Sequence, residues 1–242
     1  MIDTHCHVDQ YPNPESIVSE CERTGITTVA VTGLPSHYEL SAVHLQSARF
    51  VFPALGYHPL LVAANSKEID RFEFMAGECP FIGEIGIDGS KEGKESIQLQ
   101  IQIFERVVSA ISSRKRFVTL HSRGAVDEVL AVLRQYAMYP VVFHWFSGSK
   151  RQMKALLDDG HYISINPAMT ESMRWQSDIS YVPLNRILTE TDGPYSRIAR
   201  RPTRPEDVSL VLEWLANKFR VTYDQIETPI DQNFQNLRFQ PI

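Results

Sequence analysis

Cysteine is scarce in this chain, and so is any surplus of positive charge. Only three cysteines occur, Cys6, Cys21 and Cys79, an odd number with no C-x-x-C spacing. That pattern excludes a disulfide framework and a zinc ribbon, and it fits a reducing cytoplasm. Lysine and arginine number 24 against 29 aspartates and glutamates, a formal net charge of −5. Such a chain does not coat nucleic acid by bulk electrostatics, so any polyanion must be met by a local basic or metal-charged site. Long apolar runs are missing as well, none approaching the roughly 18 residues of a membrane helix. The opening Met1-Ile2-Asp3-Thr4-His5 has no basic segment followed by an apolar one. The expectation is an unexported, cytoplasmic protein with no membrane partner. Gly93-Lys94 lacks the upstream glycine of a Walker A loop, and neither a G-x-S-x-G elbow nor an H-E-x-x-H helix occurs. ATP hydrolysis and serine chemistry recede accordingly.

No low-complexity tract, fixed-period repeat or Pro/Gly/Ser-rich linker divides the chain, which predicts a single domain over residues 1–242. What is present is an ordinary globular composition, 43% hydrophobic and 22% charged over 242 residues. That length lies close to the roughly 250 residues of a (β/α)8 barrel. Short apolar or β-branched runs recur at 1–5, 26–32, 50–55, 81–85, 117–120, 141–144, 162–165 and 186–189. Between them lie stretches of helical spacing. Ile97, Ile101, Phe104, Val107, Val108 and Ile111 follow an amphipathic pattern, 125–136 behaves similarly, and 206–236 reads as helix ending in a further short one. Apolar strands separated by helices imply a parallel sheet covered on both faces, either a closed barrel or an open doubly wound sheet. Eight units favour the α/β TIM barrel.

Several acidic and imidazole side chains fall at the C-terminal ends of these runs. His5 and His7 end the first, Glu84 lies at the end of the fourth, His121 ends the fifth, His144 the sixth, and Asp192 follows the eighth. In a barrel those ends meet at one face, where active sites lie, and His-x-His on an extended segment points both rings the same way. Any one strand-end histidine can instead satisfy a hydrogen bond; the joint coincidence of six points to a metal. Four imidazoles and two carboxylates exceed one tetrahedral ion with an open position and suit two divalent ions sharing a bridging carboxylate. An imidazole-rich site favours Zn or another transition metal. His37 and His44 sit in or beside a predicted helix, and His161 enters its strand at the opposite face, so none is assigned chemistry. His58, directly after the third run, lies on the productive face and is a candidate for substrate contact.

Five motifs carry a family resemblance in order along nearly the whole chain. Asp3-Thr4-His5-Cys6-His7, Gly83-Glu84-Ile85-Gly86-Ile87-Asp88, His121-Ser122-Arg123, His144-Trp145-Phe146-Ser147-Gly148-Ser149 and Thr189-Glu190-Thr191-Asp192-Gly193-Pro194-Tyr195 resemble the TatD-type metal-dependent deoxyribonucleases. The resemblance implies a TIM-barrel metallohydrolase in which His5, His7 and Asp192 hold one metal, His121 and His144 hold the second, and Glu84 bridges them, with Mg or Mn as the metals usually linked to the family's nuclease activity. The chain departs from the family at Gly193, where Ala or Ser is usual, at Arg204-Pro205-Glu206 in place of Asn-Glu-Pro, and at Gly89-Ser90, where an aromatic residue often follows the aspartate. The loop after the first strand is also short. The abbreviated sequence is similar to the divergent branch of bacterial antiviral defence operons called QatD.

These residues predict a metal-dependent hydrolase of phosphodiesters, most naturally a DNase acting on single strands or ends. Two divalent ions would activate a water and hold a phosphoryl oxygen. Asp192 is the candidate for orienting or deprotonating that water, beside Glu84 at the metals. Arg123 offers paired donors to phosphate, and Arg197, Arg200, Arg201 and Arg204 crowd a loop bordering the site. Trp145, Phe146, Tyr57 and Tyr195 lie near strand ends, where they either stack on unpaired bases or pack in the core. Two other readings stay open: cleavage of an amide, lactone or aminoacyl ester by the same centre, and a protein-binding subunit of a defence complex in which catalysis is secondary.

Overall fold

Largely apolar or β-branched runs are stable only when covered on both faces, and each of the eight becomes a strand. The computed structural model describes residues 1–238. The strands are β1 (Ile2–Cys6), β2 (Thr27–Val31), β3 (Val51–Ala54), β4 (Phe81–Gly86), β5 (Phe117–His121), β6 (Val142–Phe143), β7 (Tyr162–Ile165) and β8 (Ile187–Thr189). They pair in parallel in the orders β1-β2-β3 and β4-β5-β6-β7-β8, and a parallel bridge from Leu55 to Ile82 joins the two sets. Helices α1 (Pro14–Thr24), α2 (Pro35–His44), α3 (Glu68–Ala76), α4 (Ile97–Ile111), α5 (Val126–Gln135) and α6 (Lys150–Asp158) return the chain between strands. Two short helices, α7 (Pro167–Glu171) and α8 (Met173–Asp178), lead into β8. The result is a TIM-barrel-like fold.

Among the described residues no backbone ladder closes the circle between β8 and β1; side chains and loops do it. Thr4 Oγ1 donates to Thr189 O at 2.9 Å, and the Thr189 hydroxyl donates back to Ile2 O. Beyond the strand ends, Asp192 N–H donates to His5 O and His7 N–H to Gly193 O, both at 2.8 Å. The buried Asp3 carboxylate accepts from Thr191 N–H at 2.9 Å and from His5 N–H at 3.2 Å. The loop carrying Asp192 is therefore tied to the strand carrying His5.

Local signals place the helices. Asn13 caps α1 by accepting from Ser16 N–H, Pro14 opens it, and Gly25 ends it in the left-handed region. Ser149 and Gln152 form a reciprocal capping box on α6. The amphipathic pattern from 97 to 111 is α4 itself. The helical tail divides into α9 (Val208–Phe219) and α10 (Tyr223–Arg238), with Arg220 in the left-handed region between them and Thr222 pairing with Gln225 at the start of the second. The last helix spans 16 residues, longer than the short one expected. The arginine-rich loop contains an antiparallel hairpin of β9 (Arg197–Ile198) and β10 (Arg201–Pro202), too short to leave a periodic signal. Among the described residues no helix is long and apolar enough to cross a membrane.

At the bottom of β7, His161 is buried, its Nδ1 accepting from Val141 N–H at 3.3 Å. Burial lowers its pKa from 6.5 to about 4. The folded state thus binds fewer protons than the unfolded one between those values, and stability falls as pH drops from about 6.5 towards about 4. The full contribution is about 3 kcal/mol at roughly 1.4 kcal/mol per pH unit. His161→Gln, which keeps an acceptor but cannot titrate, is expected to flatten this part of the profile. Urea midpoints at neutral pH and near pH 4.5 would read the change, and equal acid sensitivity in both proteins would refute it.

Candidate metal centre

Glu84 is the hub. Its carboxylate sits near the top of β4, 2% exposed, with imidazoles around both oxygens. Oε1 lies 2.8 Å from His121 Nδ1, 2.9 Å from His144 Nε2 and 3.5 Å from His58 Nε2. Oε2 lies 3.2 Å from His7 Nε2 and 3.5 Å from His5 Nε2. Asp192 Oδ1 closes this second side, 3.5 Å from His7 Nε2 and 3.7 Å from His5 Nε2. The two oxygens therefore face different imidazole sets, with Asp192 on the side of His5 and His7. The sets touch where the His5 and His144 rings stack, centroids 3.8 Å apart. All six residues anticipated as ligands meet in one cavity of about 850 Å³ or in its floor, from which His58, Arg123, Trp145 and Tyr195 also rise.

The backbone holds this crowding in place. A Cβ on Gly86 would lie 2.0 Å from His121 O, so only glycine allows β4 to run this close to β5. Asp192 (φ 49°) and Trp145 (φ 36°) both adopt left-handed conformations, unusual outside glycine and frequent at functional sites. Gly193 has a local cause: a Cβ there would meet Tyr11 Oη at 2.0 Å, and that hydroxyl donates to Thr203 O at 2.6 Å. Tyr11 occupies the volume that a larger residue would need.

Charge follows the same geometry. Burial works against ionisation of Glu84, but the charges of His58 and His144 and the hydrogen bond from His121 outweigh it and hold the carboxyl well below its usual range. For His7 burial opposes protonation, and hydrogen bonds to Asp192 and Glu84 win, raising it to about 10. His5 shifts downward through burial and the charge of His144.

Several imidazoles are gripped from outside. His121 Nε2 lies 2.6 Å from Asp88 Oδ2, and His5 Nδ1 lies 2.9 Å from Thr119 Oγ1. Such outer partners fix which ring nitrogen faces a metal. His5 Nε2 is fully buried, aimed at Glu84, and has no hydrogen-bond partner among the described residues. A buried nitrogen of that kind is costly unless a ligand takes its lone pair. Three groups of donor atoms lie within 4.8 Å of one another: His5, His7 and Glu84; His5, His144 and Asp192; His58, Glu84 and His121. This nitrogen and oxygen set fits one or two divalent metal ions. His58 differs from the others, because its Nδ1 accepts Leu60 N–H at 3.2 Å. In the neutral ring Nε2 then carries the proton and faces Glu84 as a donor.

The remaining expectations divide. Tyr195 is 58% exposed at the mouth, its ring edge-on to His7 with centroids 4.9 Å apart. Phe146 and Tyr57 are core residues, 1% and 2% exposed. Arg197, Arg200 and Arg201 stand outside the cavity lining. Arg201 is held by both oxygens of Asp207, and Arg204 by Glu20. Their charges are therefore committed to anchoring the loop, whereas Arg197 spends one donor on Arg200 O and both of these side chains are exposed. His37, set aside on sequence grounds, contributes to the cavity wall beside Gly33 and Leu61. Its place near the start of α2 turns it towards the site, which helical periodicity does not reveal. Asp88 was singled out only as part of a motif, and its grip on His121 needed the fold to be seen.

A barrel with convergent imidazoles and carboxylates at the strand ends defines a metal-dependent hydrolase. The family model described as TatD related DNase matches residues 2–238, and the chain belongs to that family. It is 26% identical to an uncharacterized metal-dependent hydrolase of Methanocaldococcus jannaschii, over 96% of this chain and 94% of the relative. It is 24% identical to the human deoxyribonuclease TATDN3, over 96% of this chain and 92% of that protein. The crystal structure of the TatD homolog YjjV from Escherichia coli superposes with a TM-score of 0.88 at 22% identity, covering 100% of this chain and 98% of that one.

Proposed function

We propose that the protein is a metal-dependent phosphodiesterase that hydrolyses DNA at single strands or strand ends. The observation that carries this reading is the two-sided environment of Glu84, whose oxygens face His121 and His144 on one side and His5 and His7 on the other. That arrangement suits two divalent ions, Zn, Mg or Mn, with Glu84 between them, His5, His7 and Asp192 on one and His121 and His144 on the other. Such ions, when bound, polarise a phosphoryl oxygen and lower the pKa of water. Asp192 orients the attacking water and receives its proton. His58 donates from Nε2 towards a phosphoryl oxygen. Arg123, exposed at the lip, pairs with phosphate, and Trp145 and Tyr195 stack on unpaired bases, each worth roughly 1–3 kcal/mol. The human relative's description as a deoxyribonuclease supports DNA as substrate. A role in antiviral defence, alone or with protein partners, is supported by the resemblance to the QatD branch.

The test is degradation of end-labelled single-stranded and duplex DNA with added Mg²⁺, Mn²⁺ or Zn²⁺. Wild type is expected to shorten the labelled strand only with metal. Equal cleavage by Glu84→Ala, or cleavage of ester and amide substrates but no nucleic acid, would overturn the reading. Salt dependence separates the arginines. Replacing Arg197 and Arg200 together is expected to flatten the log–log salt slope by roughly 1.4, at about 0.7 per lost single-strand phosphate contact. Arg201→Ala should leave that slope unchanged and lower the melting temperature, because its partner is Asp207.

A further inference from the structure

Glu190 follows β8 directly and is fully buried. Its Oε1 accepts from Trp145 N–H at 2.9 Å and from Asn166 Nδ2 at 3.1 Å, and Oε2 accepts from the Ser164 hydroxyl. Ser164 and Asn166 belong to β7 and the cap of α7, and β7 lies between β6 and β8 in the sheet. The middle strand thus holds a carboxylate from one neighbour against the end of the other. That end is His144, whose Nδ1 faces Glu190 Oε1 across 3.8 Å, an ion-pair rather than a hydrogen-bond distance, and has no hydrogen-bond partner among the described residues. The opposite nitrogen, Nε2, faces Glu84 at 2.9 Å.

A buried carboxylate is costly unless charge and donors compensate it. The three donors would serve a neutral amide almost as well. What needs the negative charge is the fourth neighbour, and among the described residues His144 is the one ion-pair partner of Glu190. We infer that Glu190 is a positioning residue: it keeps the proton of His144 on Nδ1, so that the Nε2 lone pair faces the centre, and it holds the left-handed turn that stands Trp145 in the cavity wall. Its charge acts on His144 across 3.8 Å, where Asp88 holds His121 by a direct contact of 2.6 Å. One carboxylate then sets a metal-facing nitrogen and the neighbouring aromatic wall together. The inference rests on the metal centre proposed above.

The test uses the full chain with Glu190→Gln, an isostere that still accepts from Trp145 N–H. Mn²⁺ or Zn²⁺ is titrated into metal-free protein by calorimetry with a competing chelator, alongside thermal melting. Wild type should bind two ions. Glu190→Gln should bind one of them roughly 10–100-fold more weakly, as expected for loss of an outer partner, with the other little changed and hydrolysis recovering at raised metal concentration. Unchanged affinities with a lowered melting temperature would mean a merely structural role and would overturn the inference while leaving the metal centre standing. Failure of wild type to bind any ion would remove the metal centre and the inference together. If Glu190→Gln does not fold, Ser164→Ala is the second variant; it should weaken the same ion several-fold, and no change would again overturn the inference.

Discussion

Replacing Glu84 with alanine is expected to reduce DNA hydrolysis at least roughly 10³-fold and to lower metal stoichiometry in the same protein. An outer hydrogen-bond partner alone is worth about 10–100-fold, and Glu84 is more central than any of these. Its two oxygens contact His121, His144 and His7 at 2.8, 2.9 and 3.2 Å, so its removal leaves buried imbalance on both sides of the cavity. The charge that holds His7 protonated up to about 10 also comes in part from Glu84. Without it the imidazoles are expected to lose protons more readily and repel one another less. The fold should survive, because the carboxylate contacts the site's side chains rather than the apolar core. Metal counting on purified protein, circular dichroism and cleavage of labelled DNA read the three parts separately. Full metal content with full cleavage would sink the proposed centre.

Asp192→Asn should lower kcat by about 10²–10⁴-fold, the range for loss of a positioned proton acceptor. Its effect on KM for an oligonucleotide should be small by comparison. Asparagine keeps the shape and one oxygen donor, so the side facing His5 and His7 loses charge and proton affinity rather than volume. The backbone there, with Asp192 N–H bound to His5 O at 2.8 Å and φ at 49°, gives the side chain little freedom to retreat. A loss expressed in KM alone would assign Asp192 to substrate binding and refute the role in water activation.

The barrel was legible because most strands are short, largely apolar or β-branched runs bounded by turns, and because α4 and α9 keep a continuous apolar face. The convergence of His5, His7, Glu84, His121, His144 and Asp192 was legible for a related reason. Strand-end position is a sequence property, and the fold turns it into proximity. What stayed hidden depends on partners that sequence distance does not reveal. Asp207, in the turn that follows a hairpin of two-residue strands, takes Arg201 out of the basic loop. Glu190 reaches His144 only because β7 stands between their strands. The proton on His58 is placed by Leu60 N–H two residues on, a turn contact that composition does not encode.

The closure between β8 and β1 bears on how the protein is made. Thr4 and Thr189, which clasp it, are 185 positions apart, so β1 waits for β8 before its outer edge is satisfied. Contacts of such separation form late, since ordering the intervening chain must come first. His5 and His7 gain the company of Asp192 only at that moment. Until then His5 and His7 have Glu84 but lack the Asp192 carboxylate, and the proposed ion-binding side is complete only when the circle closes.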